Sequence, residues 1–261
     1  DLHLSLRRQR QMCIRDSSKA DLYITADAGR LGAFKAKGML QGGLTTSAIK
    51  SAVPSNFRTS QWVGIAKRAR IVYFAPERVT GAELAGLTYE SLADPKWKGR
   101  LVIRASNNIY NQSLVSSMIA HYGIEQTEIW AKGFVKNFAR PPKGGDRDQI
   151  KAVAAGVCDI ALVNNYYLAG MLDSGQEDEI SAAMKVKLFW PGQEGYGAHV
   201  NISGAGIIKY AKNQKEAIEF LEYFVTDDAL EWYSNVNYEY SINPKIKSTG
   251  VLKKWGEFVS D

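Results

Sequence analysis

The chain has 261 residues, 45% of them hydrophobic and 23% charged, with a net charge of +6. That composition is far from the disordered and fibrous extremes and allows a sizeable core. No apolar run approaches the roughly 20 residues of a membrane helix, and the basic residues are interleaved with acidic ones rather than gathered in a stripe, which argues against a nucleic-acid partner.

The two cysteines, Cys13 and Cys158, make neither a disulfide framework nor a metal site, and Cys158 lies in the apolar stretch Gly156–Val163, where a small buried thiol is expected. Residues 1–17 show no strand or helix period and lack the order of a secretory signal. The piece Gln11–Ser17 resembles translated sequencing-adapter sequence, so residues 1–17 are read as an artefact or a disordered tail outside the fold.

From Ala20 the pattern becomes strand then helix. Asp21–Ala26 is expected as a short strand, Gly29–Lys37 as a helix stopped by Gly38, and Trp62–Phe74 as one long strand ended by Pro76. Thr88–Pro95 reads as a capped turn of helix. Arg100–Arg104 is a buried-type strand, Ala105–Asn108 a polar corner, and Tyr110–His121 a helix terminated by Gly123. Asp148–Ala155 is a short amphipathic helix. Asp159–Val163, Asn164–Asn165 and Tyr166–Asp173 repeat the strand, corner and helix of a parallel βα unit. Ala182–Phe189 leads to a strand over Ala198–Ser203, and Gln214–Val225, Asp228–Asn235 and Val251–Val259 are helical by period.

The inferred architecture is α/β, two lobes with mixed sheets flanked by helices and joined by crossover strands. Residues 18–74 and 203–247 are assigned to the first lobe, and 75–202 and 248–261 to the second.

Ligands of open α/β sheets sit beyond the carboxyl ends of strands, where helix N-termini present free N–H groups. Three corners qualify: Thr25–Gly29, Ser106–Tyr110 and Asn164–Tyr167. The last two carry tyrosines at the helix start. Adjacent tyrosines diverge by about 100° in a helix and about 180° in a strand, so Tyr166 and Tyr167 converge only where the backbone turns, which an Asn164–Asn165 cap would supply.

Phenols have pKa values near 10. Holding several as buried phenolates calls for a strong, hard cation, and ferric ion is the natural choice, whereas calcium or magnesium would need a carboxylate cluster that is missing here. The alternative is a stacking box, in which the same tyrosines enclose an organic cation or flank an oxyanion. Catalysis is disfavoured by the sparse histidines (His3, His121 and His199) and by the absence of a nucleophile elbow or phosphate loop.

Six passages, in order along the chain, resemble the periplasmic ferric ion-binding proteins, the substrate-binding components of bacterial iron ABC transporters. They are Ala20–Leu31, Lys67–Arg70, Leu92–Gly99, Asn108–Leu114, Asn164–Tyr167 and Gly197–Gly204. The resemblance implies a type II periplasmic-binding clamshell that holds ferric ion in the interlobe cleft, acts as a monomer in the periplasm and delivers iron to an inner-membrane permease. By position, Tyr166 and Tyr167 fall on the family's paired tyrosine ligands and Tyr110 on a third.

The resemblance also implies a synergistic anion, carbonate or another. Arg68 and then Arg70 match the carbonate-holding arginine, while Ser106, Asn107 and Asn164 match the phosphate-using pattern. The family's opening strand with its His or Tyr ligand has no counterpart here. His199 is expected to make a hinge hydrogen bond rather than to replace that ligand.

Overall fold

The computed structural model describes residues 19–261. The reading of residues 1–17, with Cys13 and His3, lies outside the described residues. In chain order the elements are β1 (Leu22–Thr25), α1 (Ala28–Ala36), β2 (Leu40–Gln41), α2 (Ser47–Ala52), β3 (Trp62–Phe74), α3 (Gly81–Leu84) and β4 (Leu101–Val102). Then come α4 (Ile109–Lys136), α5 (Asp146–Ala154), β5 (Ile160–Asn164), α6 (Tyr166–Leu172), α7 (Glu177–Met184) and β6 (Lys187–Phe189). The chain finishes with β7 (Val200–Ile208), α8 (Gln214–Phe224), α9 (Asp227–Asn237), β8 (Tyr240–Ser241) and α10 (Gly250–Trp255).

These elements form two compact units. The described part of the first comprises residues 19–67, Ile202–Val236 and Tyr240–Lys247, and the second comprises Arg68–Asn201, Asn237–Glu239 and Ser248–Asp261. The contacts move residues 68–74 out of the lobe expected from sequence, because that half of β3 pairs with β5 and β6. Residues 237–239 move with them, since the Tyr238 carbonyl accepts from Asn165 and Glu239 pairs with Arg68.

In the first unit, β7 pairs antiparallel with β1 and β2, and β8 pairs antiparallel with the start of β3. Val63, Ile65, Ile202, Ala205 and Ile207 from the strands pack with Ile49, Leu221 and Leu230 from the helices. A Cβ at Gly204 would stand 2.6 Å from the Val63 carbonyl oxygen, so only glycine permits this strand spacing.

The second unit holds the site. Its sheet is mixed: β5 is antiparallel to β3 and parallel to β4, and β6 joins the far edge of β3. The two-residue alternation of a strand divides its side chains between two helical layers. Ile71, Tyr73, Ala161 and Val163 face Ile150 of α5 and Leu168 and Met171 of α6. Val72, Phe74, Ile160 and Leu162 face Leu114, Met118 and Trp130 of α4, together with Leu92 and Trp97 from two short 3-10 turns. Being buried on both faces explains why β5 is apolar from Ile160 to Val163, and each large aliphatic side chain so placed contributes roughly 1.5–3 kcal/mol.

Three expectations are corrected. The helix beginning near Tyr110 does stop at Gly123 (φ 79°, ψ 168°), as expected, and a second helical segment that was not anticipated follows directly behind it to Lys136, the two together being α4. The turn at Thr88–Pro95 keeps its cap, the Thr88 hydroxyl accepting from Ser91 N–H at 3.2 Å, but is 3-10 over Glu90–Ala93 and followed by a second 3-10 turn at Pro95–Trp97, the strand at 100–104 shortens to Leu101–Val102, and the last helix stops at Trp255, where Gly256 adopts φ 77°. α7 was not anticipated. Among the described residues no helix is long and apolar enough to cross a membrane.

Candidate metal centre

The two tyrosine corners of the second unit lie at the ends of neighbouring parallel strands, β4 and β5. On the first, the Asn108 side chain caps α4 by accepting from Tyr110 N–H at 3.0 Å, which fixes Tyr110 in the opening turn. On the second, α6 begins at Tyr166, but the expected asparagine cap is corrected. Asn165 is itself helical and makes no side-chain cap. Its fully buried amide instead accepts from Ala69 N–H at 2.9 Å and donates to the Tyr238 carbonyl at 3.2 Å, while Tyr73 donates to the Asn165 carbonyl. Asn165 thus fastens the corner to β3, and Tyr238 holds φ 56°, a strained value for a non-glycine residue, beside it.

These corners bring the three tyrosines together. The hydroxyls of Tyr166 and Tyr110 are 3.2 Å apart, and the rings of Tyr166 and Tyr167 are 4.3 Å apart at 31°. Burial, the neighbouring tyrosines and their hydrogen bonds push the Tyr166 phenol well above its ordinary 10, and burial first of all raises Tyr167 as well. Both are therefore neutral phenols until a cation compensates them.

Arginines surround the tyrosines. Arg68 lies 5.6 Å from the Tyr110 ring centroid and pairs with buried Glu239 at 3.6 Å, and Arg104 lies 5.9 Å from the same ring. Asp146, the first residue of α5, has a side chain shut off from solvent between two guanidiniums. Arg70 donates to one oxygen and Arg104 to the other, at 2.5 Å. Two cations on one carboxylate leave this group with a net positive charge, and only Arg104 among the three is appreciably exposed.

Arg70 has both terminal nitrogens engaged, by Asp146 and Asn164 on one and Asn111 on the other. It serves the wall of the site more than its opening. Two buried donors, Arg70 Nε and Asn164 Nδ2, have no acceptor among the described residues. Orphaned donors beside a net positive charge suit an anion. Ser106 and Asn107 are exposed on the corner.

His199 is buried elsewhere in the unit. Its Nε2 is 2.9 Å from the Ser113 hydroxyl, its backbone N–H donates to Tyr89, and its Nδ1 lies 3.8 Å from Asp261. These bonds tie it to α4, to Tyr89 and to the C-terminal Asp261. Among the described residues there is no group of three or more His, Cys, Asp or Glu able to hold a metal.

Sequence reasoning missed Asp146, Arg104, Asn111 and Glu239. Arg104 ends the expected strand at a corner, and Asp146 follows Gly144–Gly145 at a helix start, so both carried a signal. Glu239 carried none.

Iron uptake protein A1 of Synechocystis sp. (strain ATCC 27184 / PCC 6803 / Kazusa) is 42% identical over 247 residues, covering 94% of this chain and 68% of that protein. The structure of the Trichodesmium protein FutA (IdiA) in complex with iron and citrate superposes with a TM-score of 0.91 at 45% identity, covering 98% of this chain and 81% of that one. Apo FutA2 from Synechocystis PCC6803 gives 0.90 at 38% identity, over 97% and 81%. The fold is the type II periplasmic-binding fold of these proteins. The family model for bacterial extracellular solute-binding proteins matches residues 17–253, and the chain belongs to that family.

Proposed function

We propose that this chain captures ferric ion through the phenolates of Tyr110, Tyr166 and Tyr167, with an anion beside them. It acts as a monomer in the periplasm and hands the iron to an inner-membrane ABC permease. The observation that carries this reading is the convergence of Tyr110, Tyr166 and Tyr167, with two hydroxyls 3.2 Å apart. Three phenolates neutralise the charge of one ferric ion, and each must first give up a proton. Because burial favours the neutral phenols, only a highly charged cation repays their ionisation, which disfavours weaker divalent competitors. The iron-binding and iron-uptake names of the relatives support the same cargo.

The net positive Arg70–Asp146–Arg104 group supports the anion, with Arg104 the most exposed contact and Arg68, Asn164 and Ser106 beside it. Carbonate fits this description, and the Trichodesmium complex with citrate makes a carboxylate an equally good candidate. For an organic cation the stacking box is already occupied, since the Tyr110 ring has the chain's own guanidiniums, Arg68 and Arg104, against it; an oxyanion held beside those guanidiniums is the second reading.

The test is calorimetric titration of the iron-free protein with ferric citrate. Wild type binds one ferric ion and Tyr166→Phe/Tyr167→Phe does not. Equal affinity in the two proteins would refute phenolate ligation.

A further inference from the structure

Behind the Arg104 corner lies a cavity of about 420 Å³ whose walls differ in kind from the tyrosine site. Its floor is apolar and aromatic: Leu114 from the first part of α4, and Trp130, Ala131 and Phe134 from the part beyond the Gly123 break. Its rim carries Arg104 and Ser106. The break at Gly123 lets both halves of α4 line one space. A straight helix would present these residues along a single stripe.

Apolar cavities of this size, with a few convergent polar groups at one end, are what small-molecule sites look like. Water gains little from a wall of Leu, Trp and Phe. The rim asks for negative charge, since Arg70 and Arg104 share the single carboxylate of Asp146. The apolar floor asks for a body of one ring or a short branched chain.

We infer that this cavity is a subsite for small amphipathic carboxylates, aromatic or branched aliphatic, seated with the hydrocarbon against Trp130 and Phe134 and the carboxylate at Arg104 and Ser106. The inference deepens the anion reading of the corner and needs no phenolate or iron. A carboxylate at Arg104 lies beside the tyrosine corner, so such a ligand would take the place of carbonate there. The chain would then distinguish among the organic acids that accompany iron by their apolar part, which carbonate lacks.

The test uses the full, iron-free chain and three probes: benzoate, cyclohexanecarboxylate and benzyl alcohol, followed by ligand-observed NMR and calorimetry. Both acids are expected to bind with dissociation constants on the order of 1 mM or tighter. Benzyl alcohol, with the same ring and no charge, binds about tenfold or more weakly. Ala131→Trp, which fills the floor from a partly buried helix position, abolishes binding of the acids.

Arg104→Met weakens the acids about tenfold and leaves benzyl alcohol unchanged. If Arg104→Met fails to fold, Arg104→Lys, which keeps the charge but not the planar fork, should show an intermediate loss. No binding of either acid to wild type, or binding that Ala131→Trp leaves intact, overturns the subsite. Acid and alcohol binding alike overturns the role of Arg104. Because iron is absent throughout, none of these outcomes bears on phenolate ligation, which the titration with ferric citrate decides separately.

Discussion

The corner after β1 and the corner after β5 are built by the same strand-to-helix grammar and do opposite things with it. In the first, the buried carboxylate of Asp27 turns back and accepts from Gly29 N–H at 2.7 Å, capping α1. The polar group is spent on the fold. In the second, the asparagine that should cap is turned toward β3 and Tyr238, and the first helical residues are tyrosines whose hydroxyls gather beside Tyr110. The difference teaches that the same grammar can hold a corner either by a local cap, as at Asp27 and at Asn108 before Tyr110, or by long-range bonds, as at Asn165.

That contrast predicts separable effects of mutation. The largest falls on Asp146, which both guanidiniums need: Asp146→Ala should cost about 3–5 kcal/mol in denaturant unfolding, because the buried Arg70 is left as an uncompensated charge. Asp146→Ala unfolding like wild type would show that the corner is not held this way. Next, Tyr166→Phe/Tyr167→Phe should weaken ferric binding by more than about 100-fold, exceeding the 10–100-fold typical of outer-shell partners, while stability stays near wild type.

The reverse pattern belongs to the first corner. Asp27→Ala should cost about 1 kcal/mol of stability as a lost cap and leave ferric affinity unchanged. A loss of iron binding in Asp27→Ala would blur the comparison.

The smallest effect is a pH dependence at a third cap. Hydrogen bonding from the Thr80 backbone, then from Arg100, holds the Glu83 carboxyl down at about 2 from its ordinary 4.5. A depressed acid stabilises the fold above its unfolded value and loses that stabilisation as pH falls from about 4.5 towards about 2. Glu83 is partly exposed, so solvent screens the effect. Thermal unfolding of Glu83→Gln should show a slightly shallower loss between pH 5 and pH 2 than wild type.

Much of the fold was legible because its signals are local. Trp62–Phe74 reads as one strand from its composition and forms one, and the βα units around Tyr110 and Tyr166 follow from apolar runs ended by polar corners. The cluster of tyrosines was legible for the same reason. What was not legible depends on distant partners. The burial of Arg68 and Arg70 is compensated by Glu239 and Asp146, about 170 and 76 residues away along the chain. No periodicity announces such a pairing. The Asn165 cap failed as an expectation because the Ala69 N–H and the Tyr238 carbonyl outcompeted the helix end for the same amide. The stop at Gly123 was legible, because a glycine at positive φ ordinarily ends a helix, but the second helical segment directly behind it was missed.

The central claim is that the converged tyrosines ligate ferric ion as phenolates. Its most direct test is the visible absorption of purified protein titrated with ferric citrate and bicarbonate, before and after acidification. A charge-transfer band that saturates at one iron per chain, is bleached by acid as the phenols regain their protons, and is lost in Tyr166→Phe/Tyr167→Phe is the predicted result. Iron binding without such a band, or a band that survives in the double variant, would contradict it.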